Sequence, residues 1–302
     1  MKFPFQYDHI EALVFGGTLP TRRSFDDAQV VFLPVPVDRT TSYVGGTRNG
    51  PHEILQASSH MELWDEEMKV DIHGVGLFTL PEMELPFGEM SALVEEIERV
   101  AYEVIGRDKF LFTLGGEHSI TPPLVSATAR KYPALSVLQI DAHADMRDSY
   151  MGTVHNHACA MRRSLDSARI TQVGIRSLST EEAEVLPRLN STVFYDIDMR
   201  RDPKWMDAIV ESLEPNVYVS IDVDGMDPAI MPATGTPEPG GLSWAEITGL
   251  LRRTAEKRTI VSADIVELSP IPGMVAPNFL CAKLIYKLLT YRFAADPRVK
   301  RL

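Results

Sequence analysis

The stretch DAHAD, at residues 141–145, follows an apolar run at residues 135–140 that is typical of a buried strand. In an open α/β sheet, ligands bind at the carboxyl ends of the strands, where this motif would lie. Alternate residues of an extended segment point to the same side, so Asp141, His143 and Asp145 are expected to converge. Such oxygen and nitrogen donors suit a first-row divalent metal; the alternative is a polar turn with helix-capping aspartates.

Two further strand ends carry the same kinds of side chain. The apolar run VYVSI leads into DVDGMDP at residues 222–228, and the run FLFTL leads into GGEHS at residues 115–119. The two glycines of GGEHS are expected to let the backbone pass close to a ligand. Together the three strand ends supply two imidazoles and four carboxylates: His118, Asp141, His143, Asp145, Asp222 and Asp224. These are too many donors for one closed tetrahedral zinc site, and they favour two divalent ions bridged by shared carboxylates.

The segments GGEHS, DAHAD and SIDVDGMDP resemble the three signatures of the ureohydrolase family, which includes arginase and agmatinase. The resemblance runs from about Val30 to the C-terminal helix, and it implies a hydrolase with two Mn²⁺ ions per chain. It implies one ion held by His118, Asp141, Asp145 and Asp222, and a second held by Asp141, His143, Asp222 and Asp224. The ions would lower the pKa of a shared water molecule, which attacks a guanidinium carbon and releases urea and an amine.

The same resemblance assigns further catalytic residues. Glu267, just past a predicted strand end, matches the glutamate that pairs with the guanidinium, for which a carboxylate is a planar, bidentate partner. His157 matches the family's proton-shuttle histidine, and His155, two residues earlier, is the alternative donor to the leaving amine. Asp145 is expected to serve in catalysis as well as in metal binding.

Substrate choice depends on two loops. Where arginases carry an Asn after DAHAD, this chain has Arg147, and where they carry Asp-x-Asp after a Gly-Ile-Arg strand end, it has residues 177–179, SLS. Without those carboxylates an α-ammonium group would be buried unpaired, which costs several kcal/mol. We therefore expect hydrolysis of agmatine to putrescine and urea, with arginine a poor substrate.

The loop TGTPEPGGL also resembles agmatinase, and the family places its threonine, here Thr236, near the substrate. Glu238 is expected near the far end of the substrate, where it would attract a terminal ammonium. Arg147 leaves an alternative open, because it could instead bind the carboxylate of 4-guanidinobutanoate or 3-guanidinopropanoate.

Two other classes of protein are alternatives to the hydrolase. A metal-binding scaffold without hydrolysis is disfavoured, because His157 and Glu267 would serve no purpose in it. A zinc deacylase of the distantly similar deacetylase fold needs one metal from an Asp/His/Asp set and would not use both His118 and Asp224. Two metal ions per chain and release of urea would distinguish the hydrolase from both.

Composition narrows the partners and the compartment. The net charge of -12 argues against a nucleic-acid partner and suits a cationic small molecule, here a guanidino compound. Two cysteines make no disulfide framework, the N-terminus lacks a signal pattern, and no apolar run approaches the ~18 residues that span a membrane. We therefore expect a cytoplasmic protein with no membrane partner. The family resemblance implies a homo-oligomer, either a trimer or a hexamer.

Strands alternate with helices along the chain, which predicts an α/β fold. With the resemblance, we expect a three-layer α/β/α domain over residues 1–302, with a mainly parallel central sheet and an irregular N-terminal arm at residues 1–28. The first core strand is predicted at residues 29–37, where Pro34 and Pro36 place its end at a sheet margin. Residues 71–86 are predicted to be irregular or weakly extended.

Overall fold

The structure is a computed structural model that describes residues 13–17, 24–85 and 88–301. Most of the predicted N-terminal arm lies outside these residues, and its described parts contain turns but no helix or strand. Among the described residues, no helix has both the length and the apolar character needed to cross a membrane.

The strands of the described residues are β1 Val30–Val35, β2 Val70–Asp71, β3 Leu77–Thr79, β4 Phe110–Gly115, β5 Leu135–Ile140, β6 Arg169–Ile175, β7 Ser191–Tyr195, β8 Asn216–Asp222, β9 Thr259–Val266 and β10 Lys300–Arg301. Eight of these strands are parallel and form one sheet in the order β3-β1-β4-β9-β8-β5-β6-β7. A separate antiparallel pair joins β2 and β10. The predicted mainly parallel sheet is therefore confirmed.

Helices cover both faces of this sheet. They are α1 Gly50–Ser58, α2 Met90–Gly106, α3 Thr121–Ala129, α4 Ala160–Ser164, α5 Thr180–Val185, α6 Asp196–Met199, α7 Trp205–Ser212, α8 Trp244–Lys257 and α9 Ala276–Phe293. Side chains from α1, α7, α8 and α9 share one apolar core, and those from α2, α3 and α4 share another. In β1, Val30 and Phe32 enter the first core while Val31 and Leu33 enter the second. This alternation is what a sheet buried on both faces requires, and it confirms the three-layer α/β/α architecture.

The end of β1 lies at a sheet margin on one side, as its prolines predicted. The start of β1 lies between β4 and β3, and β3 forms the edge from a segment that was predicted to be irregular or weakly extended. β3 pairs with β1 only as far as Phe32, and beyond that point the carbonyl of Pro34 accepts a hydrogen bond from the loop residue Met83. Pro34 is tolerated because the side of β1 to which its missing N–H would point has no strand partner there.

Helix α1 ends at Ser58, where the hydroxyls of Ser58 and Ser59 bond back to the carbonyls of Leu55 and Gln56. Strand β9, at the centre of the sheet, continues to Val266. Its length brings the next residue, Glu267, to the same edge of the sheet as the three signature segments.

Sheet order explains why those motifs meet. The strands β4, β9, β8 and β5 are consecutive neighbours at the centre of the sheet. Because all four are parallel, the segments that follow them emerge side by side at one edge, where ligands bind in such folds. The residues after β4, β9 and β5 and those at the end of β8 therefore share one site.

Candidate active site

The glycines of the signature loops pack closely against the protein itself. A Cβ atom on Gly116 would lie 1.9 Å from the carbonyl oxygen of Val37, and one on Gly115 would lie 2.4 Å from Ile120 Cδ1. A Cβ on Gly225 would lie 2.7 Å from the backbone nitrogen of Asp141. The lack of side chains at these positions lets the signature loops pack against one another and against the segment that follows β1.

Three carboxylates surround the imidazole of His118. Its Nδ1 atom lies 3.2 Å from Asp141 Oδ2, 3.0 Å from Asp145 Oδ2 and 3.3 Å from Asp222 Oδ2, and all four side chains are buried. Nδ1 nevertheless makes no hydrogen bond of acceptable geometry with any described residue. A bare nitrogen facing three carboxylate oxygens is the arrangement expected of a shared cation site.

The opposite nitrogen of this ring explains why Nδ1 is bare. His118 Nε2 lies 2.9 Å from Ser220 Oγ, and that hydroxyl donates its own hydrogen to Asp264 at 2.8 Å. Ser220 must therefore accept from Nε2–H, so in the neutral ring the lone pair lies on Nδ1. A hydrogen bond of this kind sets the tautomer of metal-ligating histidines.

A second group of ligand-type atoms shares Asp141 with the first. His143 Nδ1 lies 3.0 Å from Asp224 Oδ2 and 3.7 Å from Asp141 Oδ1. Within the part of the chain that the structure describes, two groups of donors could each hold an ion: His118, Asp141 and Asp145, and Asp141, His143 and Asp224. A carboxylate common to both groups fits a pair of bridged divalent ions.

The electrostatics of the cluster agree with this fit. Burial, together with Asp224 and Asp141, raises the pKa of Asp222 well above its usual range. Burial and Asp141 likewise raise the pKa of Asp145. Burial opposes protonation of His118, but the surrounding carboxylates outweigh it and raise its pKa well above the usual value. The carboxylates thus repel one another in a medium of low dielectric constant, and divalent cations would relieve that repulsion.

Two site carboxylates sit on strained backbone. Asp145 and Glu267 have φ angles of 53° and 67°, in the left-handed region that non-glycine residues rarely adopt. Each is held by hydrogen bonds: the carbonyl of Asp145 accepts from the backbone nitrogens of Met161 and Arg162, and Glu267 N donates to Gly116 O at 2.7 Å. Such strain costs roughly 1–3 kcal/mol per residue and persists where the surroundings over-determine the conformation.

A cavity of about 270 Å³ opens above the cluster. Most of the sequence-predicted site residues line it, namely His143, Asp145, Arg147, His157, Asp222, Asp224, Thr236 and Glu267. His118 and Asp141 lie buried beneath them. Among the described residues, the lining includes five carboxylates, from Asp145, Glu182, Asp222, Asp224 and Glu267, and one guanidinium, from Arg147. The cavity is therefore built to receive a cation.

Glu267 lies at the base of this cavity. Its Oε1 atom accepts a hydrogen bond from the backbone nitrogen of His118 at 2.7 Å, and the residue is 8% exposed. Burial and the nearby carboxylate of Glu117 raise the pKa of Glu267 well above its usual range. A cationic group beside Glu267 would offset both effects.

The two candidate shuttle histidines are placed differently. His157 lines the cavity, and its ring meets the ring of Tyr150 edge-on at 6.2 Å between centroids. His155 is not part of the lining that the structure describes, and its backbone nitrogen donates to Thr153 Oγ1. This geometry favours His157 as the residue that meets a substrate.

Glu238 is also absent from the described lining of the cavity, but it lies beside one of the lining residues. Its Oε1 atom lies 3.9 Å from Nε2 of His143. The loop that carries it is held by Arg176, whose guanidinium donates to the carbonyls of Asp224, Glu238 and Pro239. Arg176 thereby holds the loop in a position where Glu238 faces His143, a candidate metal ligand.

Sequence reasoning missed several residues of the cavity wall. Glu182 lines the cavity, and its carboxylate accepts from the backbone nitrogens of Met146 and Ser179 at 2.9 and 2.8 Å. The pattern Ser-x-x-Glu at residues 179–182 is typical of a helix start, and the structure shows that this capping box also faces the site. Tyr43 and Tyr150, on the two flanking loops, carry no local motif that could have marked them.

Comparison with known proteins identifies the class. The profile of the arginase family matches residues 28–290, and the chain belongs to that family. The N(1)-aminopropylagmatine ureohydrolase of Synechocystis sp. is 39% identical over 276 residues, which cover 89% of this chain and 90% of that protein. The agmatinase of Bacillus cereus is 33% identical over 252 residues, covering 82% and 86%. The crystal structure of the agmatine ureohydrolase of Thermoplasma volcanium superposes with a TM-score of 0.85 at 32% identity, covering 95% and 97%.

The chain is accordingly a hydrolase, and within the arginase family it is a ureohydrolase of the agmatinase type. This confirms the family that the three signature segments indicated.

Proposed function

We propose that this chain is a binuclear manganese enzyme that hydrolyses agmatine to putrescine and urea. The observation that carries the proposal is the buried cluster of two histidines and four aspartates at the base of an acidic cavity that also contains Glu267 and His157. Carboxylate and imidazole donors suit Mn²⁺ among the first-row ions.

The ligand sets follow the family resemblance. His118, Asp141, Asp145 and Asp222 would hold one ion, and Asp141, His143, Asp222 and Asp224 would hold the other. When bound, the metal pair makes a water molecule nucleophilic near neutral pH. Glu267 would hold the guanidinium through the carboxylate oxygen that His118 N does not occupy. His157 would deliver a proton to the nitrogen that leaves as the amine.

The cavity wall supports a substrate without a carboxylate. Ser177, Leu178 and Ser179 line it where arginases carry the Asp-x-Asp segment. Arg147 already has partners, since its guanidinium stacks over Tyr150 at 4.8 Å and its Nε lies 3.9 Å from Glu182. These contacts disfavour Arg147 as the anchor for a guanidino acid.

A second candidate substrate is N(1)-aminopropylagmatine. It is favoured by the 39% identity to a ureohydrolase that carries this substrate in its name. Both candidates present a guanidinium at one end and at least one amine along an aliphatic chain, so the excess of acidic groups in the cavity serves either. The choice between the two substrates depends on the length of chain that the outer part of the cavity can hold, rather than on the chemistry of the histidine and aspartate cluster.

The deciding experiment compares kcat/KM for agmatine, N(1)-aminopropylagmatine, arginine and 4-guanidinobutanoate in the manganese-loaded protein. We expect one of the first two to exceed the others by at least 10²-fold, because an unpaired polar group in a closed site is costly. A preference for 4-guanidinobutanoate would make the protein a guanidino-acid hydrolase. A preference for arginine would refute the argument from the missing aspartates, and urea release from none of the four would refute the proposed function.

Manganese itself, a cytoplasmic location and a homo-oligomer are further parts of the proposal. We expect activity to be lost on chelation and restored by Mn²⁺; full urea release from protein verified to be metal-free would contradict it. An exposed apolar patch at Ile271, Met274, Val275 and Phe279 supports self-association. Light scattering on the purified protein would report a trimer or hexamer, and a monomer would contradict this expectation.

A further inference from the structure

Glu117, the acidic residue of the GGEHS motif, is buried and has no part in the proposed ligand sets. Its Oε2 atom accepts from the backbone nitrogens of Arg39 and Thr40, each at 2.6 Å. Its Oε1 atom accepts from the hydroxyls of Thr40, at 2.9 Å, and Ser119. Four donors thus converge on one carboxylate, which fixes both its position and its role as an acceptor.

Thr40 connects this carboxylate to His157, 117 residues away along the chain. Thr40 Oγ1 lies 3.1 Å from His157 Nδ1 and also 3.1 Å from the backbone nitrogen of His157, which donates to it. A threonine hydroxyl has one hydrogen and two lone pairs. Its hydrogen points to Glu117, so both lone pairs must receive hydrogens from His157.

The tautomer of His157 follows from this count. Since Thr40 has no hydrogen left to donate, Nδ1 of His157 must carry a hydrogen and donate it to Thr40. In the neutral ring the other nitrogen, Nε2, is then an acceptor. The ring is also packed against the edge of Tyr150, which limits its rotation.

We infer that Thr40, backed by Glu117, is a positioning residue that holds His157 in the Nδ1–H tautomer. Nε2 is then the atom that takes up and releases the proton transferred during hydrolysis. This inference rests on the proposed function, in which His157 is the shuttle. During hydrolysis, water adds its hydroxyl group to the guanidinium carbon and the C–N bond to the amine breaks. Nε2 takes the proton that the water gives up and passes it to the leaving nitrogen, so the ring ends as it began.

The Thr40–Glu117 pair also affects the charged form of the ring. While Nε2 holds the proton, Nδ1–H still donates through the Thr40 hydroxyl toward the carboxylate of Glu117. Hydrogen bonds that end on a charged group are about twice as strong as neutral ones. Removing the Thr40 hydroxyl should therefore slow the proton-transfer step without altering substrate binding at Glu267 or the metal ligands.

The test must separate this role from a simple tie between two loops, because Thr40 also holds the backbone of His157. We would measure urea release for Thr40→Val, for the conservative control Thr40→Ser, for His157→Ala and for the double variant Thr40→Val/His157→Ala, all with manganese content verified. Thr40→Val should lower kcat about 10- to 100-fold with KM within about threefold, as expected for loss of a charge-assisted hydrogen bond. Thr40→Ser should stay within about threefold of the parent.

The double variant decides the matter. If Thr40 acts through the His157 ring, Thr40→Val should cause no further loss of kcat in the His157→Ala background. An equal loss of kcat in both backgrounds would show a structural tie and overturn the inference, as would full activity of Thr40→Val alone.

A measurement independent of activity completes the test. Nitrogen-15 NMR of histidine-labelled protein, loaded with diamagnetic Zn²⁺ or Mg²⁺ at a pH where the ring is neutral, reports which nitrogen of His157 carries the hydrogen. We expect Nδ1–H in the parent and in Thr40→Ser, and a mixture of tautomers in Thr40→Val. A parent spectrum with Nε2–H would overturn the inference even if urea is released; absence of urea release would instead refute the proposed function and leave the tautomer result standing.

Discussion

The inner end and the outer wall of the cavity are built in different ways. The inner end comprises His118, Asp141, His143, Asp145, Asp222 and Asp224, which are buried apart from the half-buried His143. The outer wall comprises Thr41, Ser42, Tyr43, Arg147, Tyr150 and Ser177, which lie on loops, and Tyr43 is 79% exposed. The contrast indicates that the chemistry is set by strand ends, whereas substrate choice is left to loops that tolerate change.

Hydrogen bonds support the inner end from behind. Gln139 donates to Asp141 Oδ2 at 2.6 Å, and Gln172 donates to Gln139 at 2.6 Å, so the shared carboxylate is supported from the middle of the sheet. Support of this kind orients ligands and raises the cost of replacing them. Substitutions should therefore have effects that decrease from the inner end outward.

The largest effect should come from Asp141, one of the two carboxylates that the proposed ion sites share. Asp141→Asn removes one charge from each site, and we expect kcat/KM to fall by at least ~10³-fold with loss of bound manganese, because metal activation of water contributes several kcal/mol. Asp224→Asn should weaken one ion selectively. The measurement is urea release together with metal analysis, and Asp227→Asn, which alters a turn outside the cluster, is the matched control. If Asp141→Asn still bound two ions tightly and released urea at the full rate, the proposed role of Asp141 in metal binding and catalysis would be contradicted.

The next effect should come from the proton shuttle. His157→Ala should lower kcat by ~10²-fold or more with little loss of metal, as expected when a general acid is removed. His155→Ala is the matched control and should have a much smaller effect, because His155 is not part of the described cavity lining. Stopped-assay urea measurements at saturating substrate would compare the two, and the reverse ranking would transfer the role to His155.

A smaller effect is expected at Glu267. Glu267→Gln retains an acceptor for His118 N but loses the negative charge that would face the guanidinium. Loss of a charge-assisted hydrogen bond should lower kcat/KM for agmatine by about 10- to 100-fold. Steady-state kinetics with manganese content as the control would measure it. Unchanged kinetics in Glu267→Gln would exclude Glu267 from guanidinium binding.

The smallest effect should come from the outer wall. Arg147→Gln should change kcat/KM for agmatine by less than about fivefold, since its guanidinium contacts Tyr150 and Glu182 near the rim and exposed ion pairs contribute little. The same variant should be assayed with 4-guanidinobutanoate. A much larger loss of kcat/KM with 4-guanidinobutanoate than with agmatine would show that Arg147 binds a carboxylate. It would contradict the conclusion that the outer wall suits a substrate without a carboxylate.

The sequence places the residues of the inner end together more readily than those of the wall, for a physical reason. Each ligand of the inner end lies within five residues of a strand end, so an apolar run followed by paired polar residues is enough to place it. Glu182 and Tyr43 enter the wall through loops whose paths depend on distant packing. Glu238 belongs to a loop held by Arg176, and its approach to His143 is likewise a contact between residues far apart in the chain.

The sequence by itself determined the α/β class, the three strand-end motifs and the kinds of atoms offered to a metal, because strand periodicity and side-chain chemistry are local properties. Only the tertiary structure decided that β3 is an edge strand, that the glycines of GGEHS serve loop packing, and that Thr40 and Glu117 meet His157. These features depend on hydrogen bonds and contacts between residues far apart in the chain, and no local pattern records which distant partners will meet.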